Sequence, residues 1–145
     1  MATDDLRAHL LKLQQEQLNA IGRGDYEAYA ELCCGRMSCF EPEARGNLVE
    51  GLPFHETYFK HRAAGGATAL LNTMSRPLVQ LLGGEGDAAV GAVISYVRLV
   101  QVKDAEGKHA TTATQETRVW ERRRPGTGAE PWGTWINVHL HRSPA

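Results

Sequence analysis

The chain changes texture near its middle, and that change constrains the fold more than any other feature. Up to about residue 62 apolar side chains recur at helical spacing; beyond it come four long β-type stretches cut by turn residues. The stretches run from Thr68 to Leu82, Ala88 to Lys103, Ala110 to Arg123 and Thr134 to Arg142. Gly83-Gly-Glu-Gly86, Asp104-Ala-Glu-Gly107 and Pro125-Gly-Thr-Gly128 separate them, each with turn chemistry. Helices first and a strand meander after predict an α+β domain, with helices packed on one face of an antiparallel sheet. Long twisted strands curl, and a curled sheet can enclose a pocket against a helix.

The first half divides at its glycines. Asp4 or Asp5 is the expected cap of a long helix whose apolar face holds Leu6, Leu10, Leu13, Leu18 and Ile21. Gly22-Arg23-Gly24 ends it, Asp25 caps a second helix with Tyr26, Tyr29 and Leu32, and Gly35 is its expected stop. Arg36 to Gly51 reads as a short strand and loops. Pro53 suits a first helical turn, so a third helix is predicted from Leu52 to about Arg62, followed by an Ala63-Ala-Gly-Gly-Ala67 loop. With 145 residues and neither a repeat nor a linker, the expectation is one domain over 1–145.

Composition excludes several classes. A formal net charge of −1 gives no bulk attraction to nucleic acid or to anionic lipid. No apolar run approaches the ~20 residues of a membrane helix, and no secretory signal opens the chain. Cys33, Cys34 and Cys39 are odd in number and two are adjacent, which predicts free thiols and a cytoplasmic setting. Gly83-Gly-Glu-Gly86 lacks the following Gly-Lys-Ser/Thr and helix of a phosphate cradle, so it reads as a hairpin turn. Arg23-Gly24-Asp25 spells an adhesion tripeptide but explains itself as a helix stop and a cap. Arg122-Arg123-Arg124 reads as a solvated hairpin end. His139 and His141 share one strand face, yet no third metal ligand accompanies them, so no metal and no cofactor is expected.

Arginine inside the strands is the oddity. Arg98 shares parity with Ile94, Tyr96, Val100 and Val102; Arg142 shares it with Ile136, Val138 and Leu140; Arg118 shares it with Trp120. Side chains of equal parity face one way, so these cations point where the apolar residues point. A buried guanidinium is costly unless paired. Internal carboxylates such as Glu50 or Glu116 pair with them, or the group awaits an anionic ligand. On the second reading, removing one arginine relieves repulsion and costs little stability.

These residues also match a family. Gly24-Asp-Tyr-Glu-Ala-Tyr29, Phe40-Glu-Pro-Glu-Ala-Arg-Gly-Asn-Leu-Val-Glu-Gly51 and Pro53-Phe-His-Glu-Thr-Tyr-Phe59 resemble the association, or hub, domain of calcium/calmodulin-dependent protein kinase II. Tyr96-Val-Arg-Leu99, Glu116-Thr-Arg-Val-Trp120 and Asn137-Val-His-Leu-His-Arg142 continue the resemblance in the family's order over nearly the whole chain. It implies the nuclear transport factor 2-like cone, a curved antiparallel sheet round a long N-terminal helix. It implies a homo-oligomer of two stacked rings, a dodecamer or larger, with kinase subunits in trans as further partners. It also implies a ligand pocket for small carboxylates or acidic segments, built from Arg98, Arg118 and Arg142, with Tyr29 and His55 near the mouth and Glu50 among its carboxylates.

Two departures stand out. Ala63 replaces a tryptophan common in vertebrate hubs, which opens any lid there, and the hairpin from Arg122 to Trp132 is longer than the family's turn. No kinase domain or calmodulin-binding segment is expected in the chain, so the reading is a non-catalytic hub. The rival reading is a small enzyme of the same fold, an isomerase, dehydratase or polyketide cyclase, with His55, Glu50 or Tyr29 as its base. Three interior cations suit holding an anion more than removing a proton.

Overall fold

The computed structural model describes residues 2–64, 70–103 and 106–145, the side chains of 62–64 excepted. Helix α1 spans Thr3–Arg23 and buries Leu6, Leu10 and Leu18, with Leu13 and Ile21 partly buried beside them. The same face carries Gln14 and Gln17, both fully buried, which apolar spacing does not announce. Its N-cap is Ala2, without a side-chain hydrogen bond, so neither Asp4 nor Asp5 caps it. They are the second and third helical residues, in the first turn, where a carboxylate faces the positive end of the helix dipole. Gly24 ends the helix in the left-handed region at φ 72°. Asp25 caps α2 (Tyr26–Glu31), accepting from the Ala28 N–H at 3.0 Å.

Gly35 does not stop α2. The helix closes at Leu32 and β1 (Cys33–Phe40) begins at once, with Gly35 inside it. Cys33, Met37 and Cys39 are buried from this strand, and pairing with the last strand outweighs a weak helical preference. A 3-10 turn at Pro42–Ala44 leads to β2 (Val49–Glu50), then α3 runs Pro53–Ala64 with Pro53 at its first position. The predicted strands follow as β3 (Leu71–Leu82), β4 (Gly91–Lys103), β5 (His109–Arg124) and β6 (Thr134–Pro144). The expected loop at 63–67 and the turn at 104–107 fall partly outside the described residues.

The six strands are ordered β2-β1-β6-β5-β4-β3. The meander β3 to β6 is antiparallel, while β1 joins β6 in parallel, a pairing the meander expectation did not contain. The sheet curves round α1. Val79, Ala92, Ile94, Tyr96, Trp120 and Trp135 from its inner face form one core with Leu6, Leu10 and Leu18.

One parity inference needs correcting. Val119 pairs with His139 but Trp120 pairs with Asn137, so Val138 is an extra residue in β6. The bulge switches faces: Trp135 and Asn137 are buried before it, and Leu140 and the half-buried Arg142 face inward after it. Arg142 therefore points inward with Leu140, but without Ile136 and Val138. In the long hairpin, Arg122 is no solvated end. Its Nε and Nη2 donate to the Trp132 carbonyl at 3.2 and 3.0 Å, and its Nη1 donates to the carbonyls of Asp87 and Ala89 at 3.0 and 3.1 Å. Trp132 then stacks on His9 of α1, with centroids 5.0 Å apart. No described helix is long and apolar enough to cross a membrane.

The C-terminal end of α1 meets the start of β3 backbone to backbone. The Gly22 carbonyl accepts from Leu70 N–H at 3.2 Å, and a Cβ on Gly22 would lie 2.5 Å from the Leu70 carbonyl oxygen. Gly22→Ala gains about 1 kcal/mol of helix propensity but must push helix and strand apart. The expected result is a net loss of roughly 1–3 kcal/mol, read as a lower thermal midpoint.

Candidate functional site

The register of the meander brings the interior arginines together. Ile94 lies opposite Arg118, Tyr96 opposite Glu116 and Arg98 opposite Thr114; on the other side Leu140 lies opposite Arg118 and Arg142 opposite Glu116. Arg118 is 1% exposed and Glu116 2%. Glu116 Oε1 accepts from Arg118 Nη2 at 3.1 Å and from Arg98 Nη1 at 3.5 Å, while the Tyr96 hydroxyl donates to the other oxygen. Burial pushes the Glu116 carboxyl up, but Arg118 and Arg98 outweigh it and hold the group below its ordinary range. Arg118 Nη1 donates to Asn137 Oδ1 at 2.9 Å and to the Tyr29 hydroxyl at 3.2 Å. Arg98 Nε donates to Asn72 Oδ1 at 2.8 Å.

Of the two carboxylates offered by the sequence, only Glu116 serves. Glu50 lies outside the cavity on the two-residue strand β2, where its exposed side chain pairs with Arg36 at 3.3 Å. Glu41 and Glu43, either side of Pro42, take the place given to it. Arg142 Nη2 donates to Glu43 at 2.6 Å, to Glu41 at 3.3 Å and to the Tyr58 hydroxyl at 3.2 Å. The 3-10 turn at Pro42 aims both carboxylates at β6, a geometry that the sequence spacing alone does not reveal.

These groups wall a cavity of about 270 Å³. Arg98, Arg118, Arg142, Tyr29 and His55 all line it, and Ile21, Phe59, Leu70, Val100 and Leu140 make an apolar side. Tyr29 and His55 are not at a mouth: they are 1% and 5% exposed, while Tyr58 is 37% exposed. Ala63, the expected open lid, has its side chain outside the described residues. Tyr29 Oη and His55 Nδ1 are 3.2 Å apart. Among the described residues, His55 Nε2, Thr114 Oγ1 and Arg118 Nε are buried without a hydrogen-bond partner. Burial first, then Arg118 and Arg142, lower the His55 pKa to about 4. His139 and His141 share the outer face and pack on Phe40. Cys33 is buried and accepts from Gln17 Nε2 at 3.2 Å.

The sequence profile of the calcium/calmodulin dependent protein kinase II association domain matches residues 6–145. The chain belongs to this family. It is 39% identical over 137 residues to the calcium/calmodulin-dependent protein kinase type II alpha chain of Drosophila melanogaster, covering 94% of this chain and 23% of that one. The chain thus spans about a quarter of that relative's length. It is also similar to the hub homology domain of Chlamydamonas reinhardtii, at 42% identity and TM-score 0.78, over 96% of this chain and 98% of that one. The C. elegans association domain gives 34% identity and TM-score 0.78 over 97% of each chain. A Salmonella enterica nuclear transport factor 2-like protein, at 17% identity and TM-score 0.72 over 99% of this chain and 93% of that one, shares the fold alone. The nuclear transport factor 2-like cone expected from the sequence is therefore the observed fold. The matched family is the non-catalytic association part of the kinase, an oligomerisation scaffold.

Two outcomes follow from the geometry. Arg118 is committed to protein partners, so Arg118→Ala does not relieve repulsion. It takes from buried Glu116 its nearer guanidinium, leaving only Arg98 at 3.5 Å and the Tyr96 hydroxyl, and the expected loss is roughly 3–5 kcal/mol by chemical denaturation. The second concerns acid. Folded His55 resists protonation down to about pH 4, whereas unfolded histidine takes up its proton near 6.5. The neutral ring's contribution is complete above pH 6.5 and falls progressively between 6.5 and 4, by up to roughly 3 kcal/mol. Thermal midpoints across that window should drop in the wild type and drop less in His55→Gln.

Proposed function

We propose that this chain works as a homo-oligomerisation hub, closing into two stacked rings of twelve or more subunits, with the cavity as a pocket for a small carboxylate. The observation that carries the reading is the family match over residues 6–145. Exposed Leu71, Leu78 and Leu82 on edge strand β3, and Val90 beside them, support association through the outer side of the sheet. Closed symmetry satisfies every interface and leaves few intermediates. Kinase subunits joined in trans are partners of the same kind.

The pocket reading rests on the arginines and on unpartnered His55 Nε2, Thr114 Oγ1 and Arg118 Nε in its walls. A buried polar atom without a partner is costly, and a bound carboxylate with its water supplies partners. Arg142 has the most exposed side chain of the three guanidiniums, and its partner Glu43, 39% exposed by side chain, can return to water. A base in this cavity is poorly served, because His55 is held near a pKa of 4 and is a weak base at neutral pH.

Native mass spectrometry at micromolar concentration should show a closed ring of at least twelve copies. A stable dimer with nothing larger overturns the hub reading. A short-chain carboxylate at ten times its Kd should stabilise the wild type by ~1.4 kcal/mol, a midpoint rise of about 3–6 °C for a chain this size. Arg142→Gln should keep its fold and lose that rise; an equal rise in the variant removes Arg142 from the pocket.

A further inference from the structure

One cluster at the edge of the cavity differs in chemistry from the arginine site. Cys39 ends the inward row of β1, Glu41 follows it, and His55 lies in the first turns of α3. One ligand atom of each lies within 4.8 Å of the others. We propose that Cys39, Glu41 and His55 form a binding site for a thiophilic divalent cation of the zinc class.

Four observations support it. The donor set is mixed sulfur, oxygen and nitrogen, which suits zinc and not magnesium or calcium. His55 Nε2 is buried without a partner among the described residues, on a side chain 5% exposed. That nitrogen, offered above to a carboxylate, has no protein partner among the described residues and can ligate a metal instead. Its other nitrogen, Nδ1, sits 3.2 Å from the Tyr29 hydroxyl, which Arg118 also contacts at 3.2 Å. A metal-bound histidine is commonly oriented by such an outer partner. The Cys39 thiol lies 3.6 Å from Glu41 Oε1, and Arg142 holds the other oxygen of that carboxylate at 3.3 Å.

Distance and charge are both compatible. Tetrahedral zinc sets its donors roughly 3.4–3.6 Å apart, given bonds of about 2.0–2.3 Å, so closure by about an ångström suffices. The three cavity arginines face Glu116, Glu41 and Glu43, so the incoming dication does not meet three uncompensated cations. On binding, the Cys39 S–H bond breaks, the sulfur–metal bond forms with the sulfur electron pair, and one proton leaves to solvent. Affinity therefore rises with pH. Three protein ligands leave a fourth position open, and two of them, Glu41 and His55, line the cavity. The inference does not rest on the carboxylate reading or on ring formation.

The test uses cobalt(II) as a spectroscopic probe and zinc as competitor on the full chain under reducing conditions. The expected result is one cobalt per chain with a near-ultraviolet thiolate-to-metal band that zinc abolishes. Cys39→Ala should lose the band, and His55→Gln should bind at least tenfold more weakly. Tyr29→Phe should weaken binding about 10–100-fold as an outer-partner change. Circular dichroism and assembly size show that each variant has folded; if Cys39→Ala has not, Cys39→Ser takes its place. A band that persists without Cys39 assigns the metal to Cys33 or Cys34 and overturns the proposal. So does cobalt binding without a thiolate band, or no cobalt binding at a hundredfold excess. Unchanged affinity in His55→Gln also overturns it.

Discussion

A carboxylate in an apolar interior costs several kcal/mol unless its partners replace water, and Glu116 has such partners on every side. Two guanidiniums and a phenol converge on it from β4 and β5. Arg98 and Arg118 in turn are tolerable only because Glu116 is there. Neither sign can be removed singly. The meander register is thereby over-determined: a one-residue slip of β5 against β4 would turn Arg118, Glu116 and Trp120 outward together.

The same network fixes the helix. Trp120 Nε1 donates to Gln14 Oε1, Gln14 to Gln17, and Gln17 to Asn137 Oδ1, which Arg118 also reaches. At the other end Arg98 holds Asn72, whose side chain donates to the Leu18 carbonyl and whose own carbonyl accepts from Gln15. A continuous path of side chains thus ties α1 to β3, β4, β5 and β6. Leucines alone would let a helix rotate or slide in a curved sheet. The buried amides make one rotation far better than the others, because any other leaves polar atoms unpaired.

Periodicity carried the helices, the meander and the inward arginines, since each of these repeats at a local spacing. Five things were not local. Gly35 reads as a helix stop only until β6 offers β1 a partner. The bulge at Val138 changes the face of everything before it in β6, so the fully buried Asn137, central to the network, does not share the parity of Leu140 and Arg142. Gln14 and Gln17 interrupt a leucine stripe and look like its edge until Trp120 and Asn137 are placed opposite them. Glu41 and Glu43 were visible as residues but not as partners of Arg142, because a single 3-10 turn decides where they point. Glu50 was misplaced for the same reason: β2 is too short and too exposed to carry it inward.

Inner and outer faces of the sheet then do different physical work through one shape. The inner face is filled by the helix, the polar network and the cavity. The outer face of β3 leaves leucines in water, which subunit association would bury. In the ring proposed above, closure would depend on the angle between successive interfaces, and the curvature of the sheet would contribute to that angle. Curvature here is held by the contacts of α1 and by the bulge in β6, both of which the Gln17–Asn137–Arg118 path joins. A change in the cavity that moves Asn137 or Arg118 would therefore strain the joint between helix and bulge, at a distance from the exposed leucines of β3.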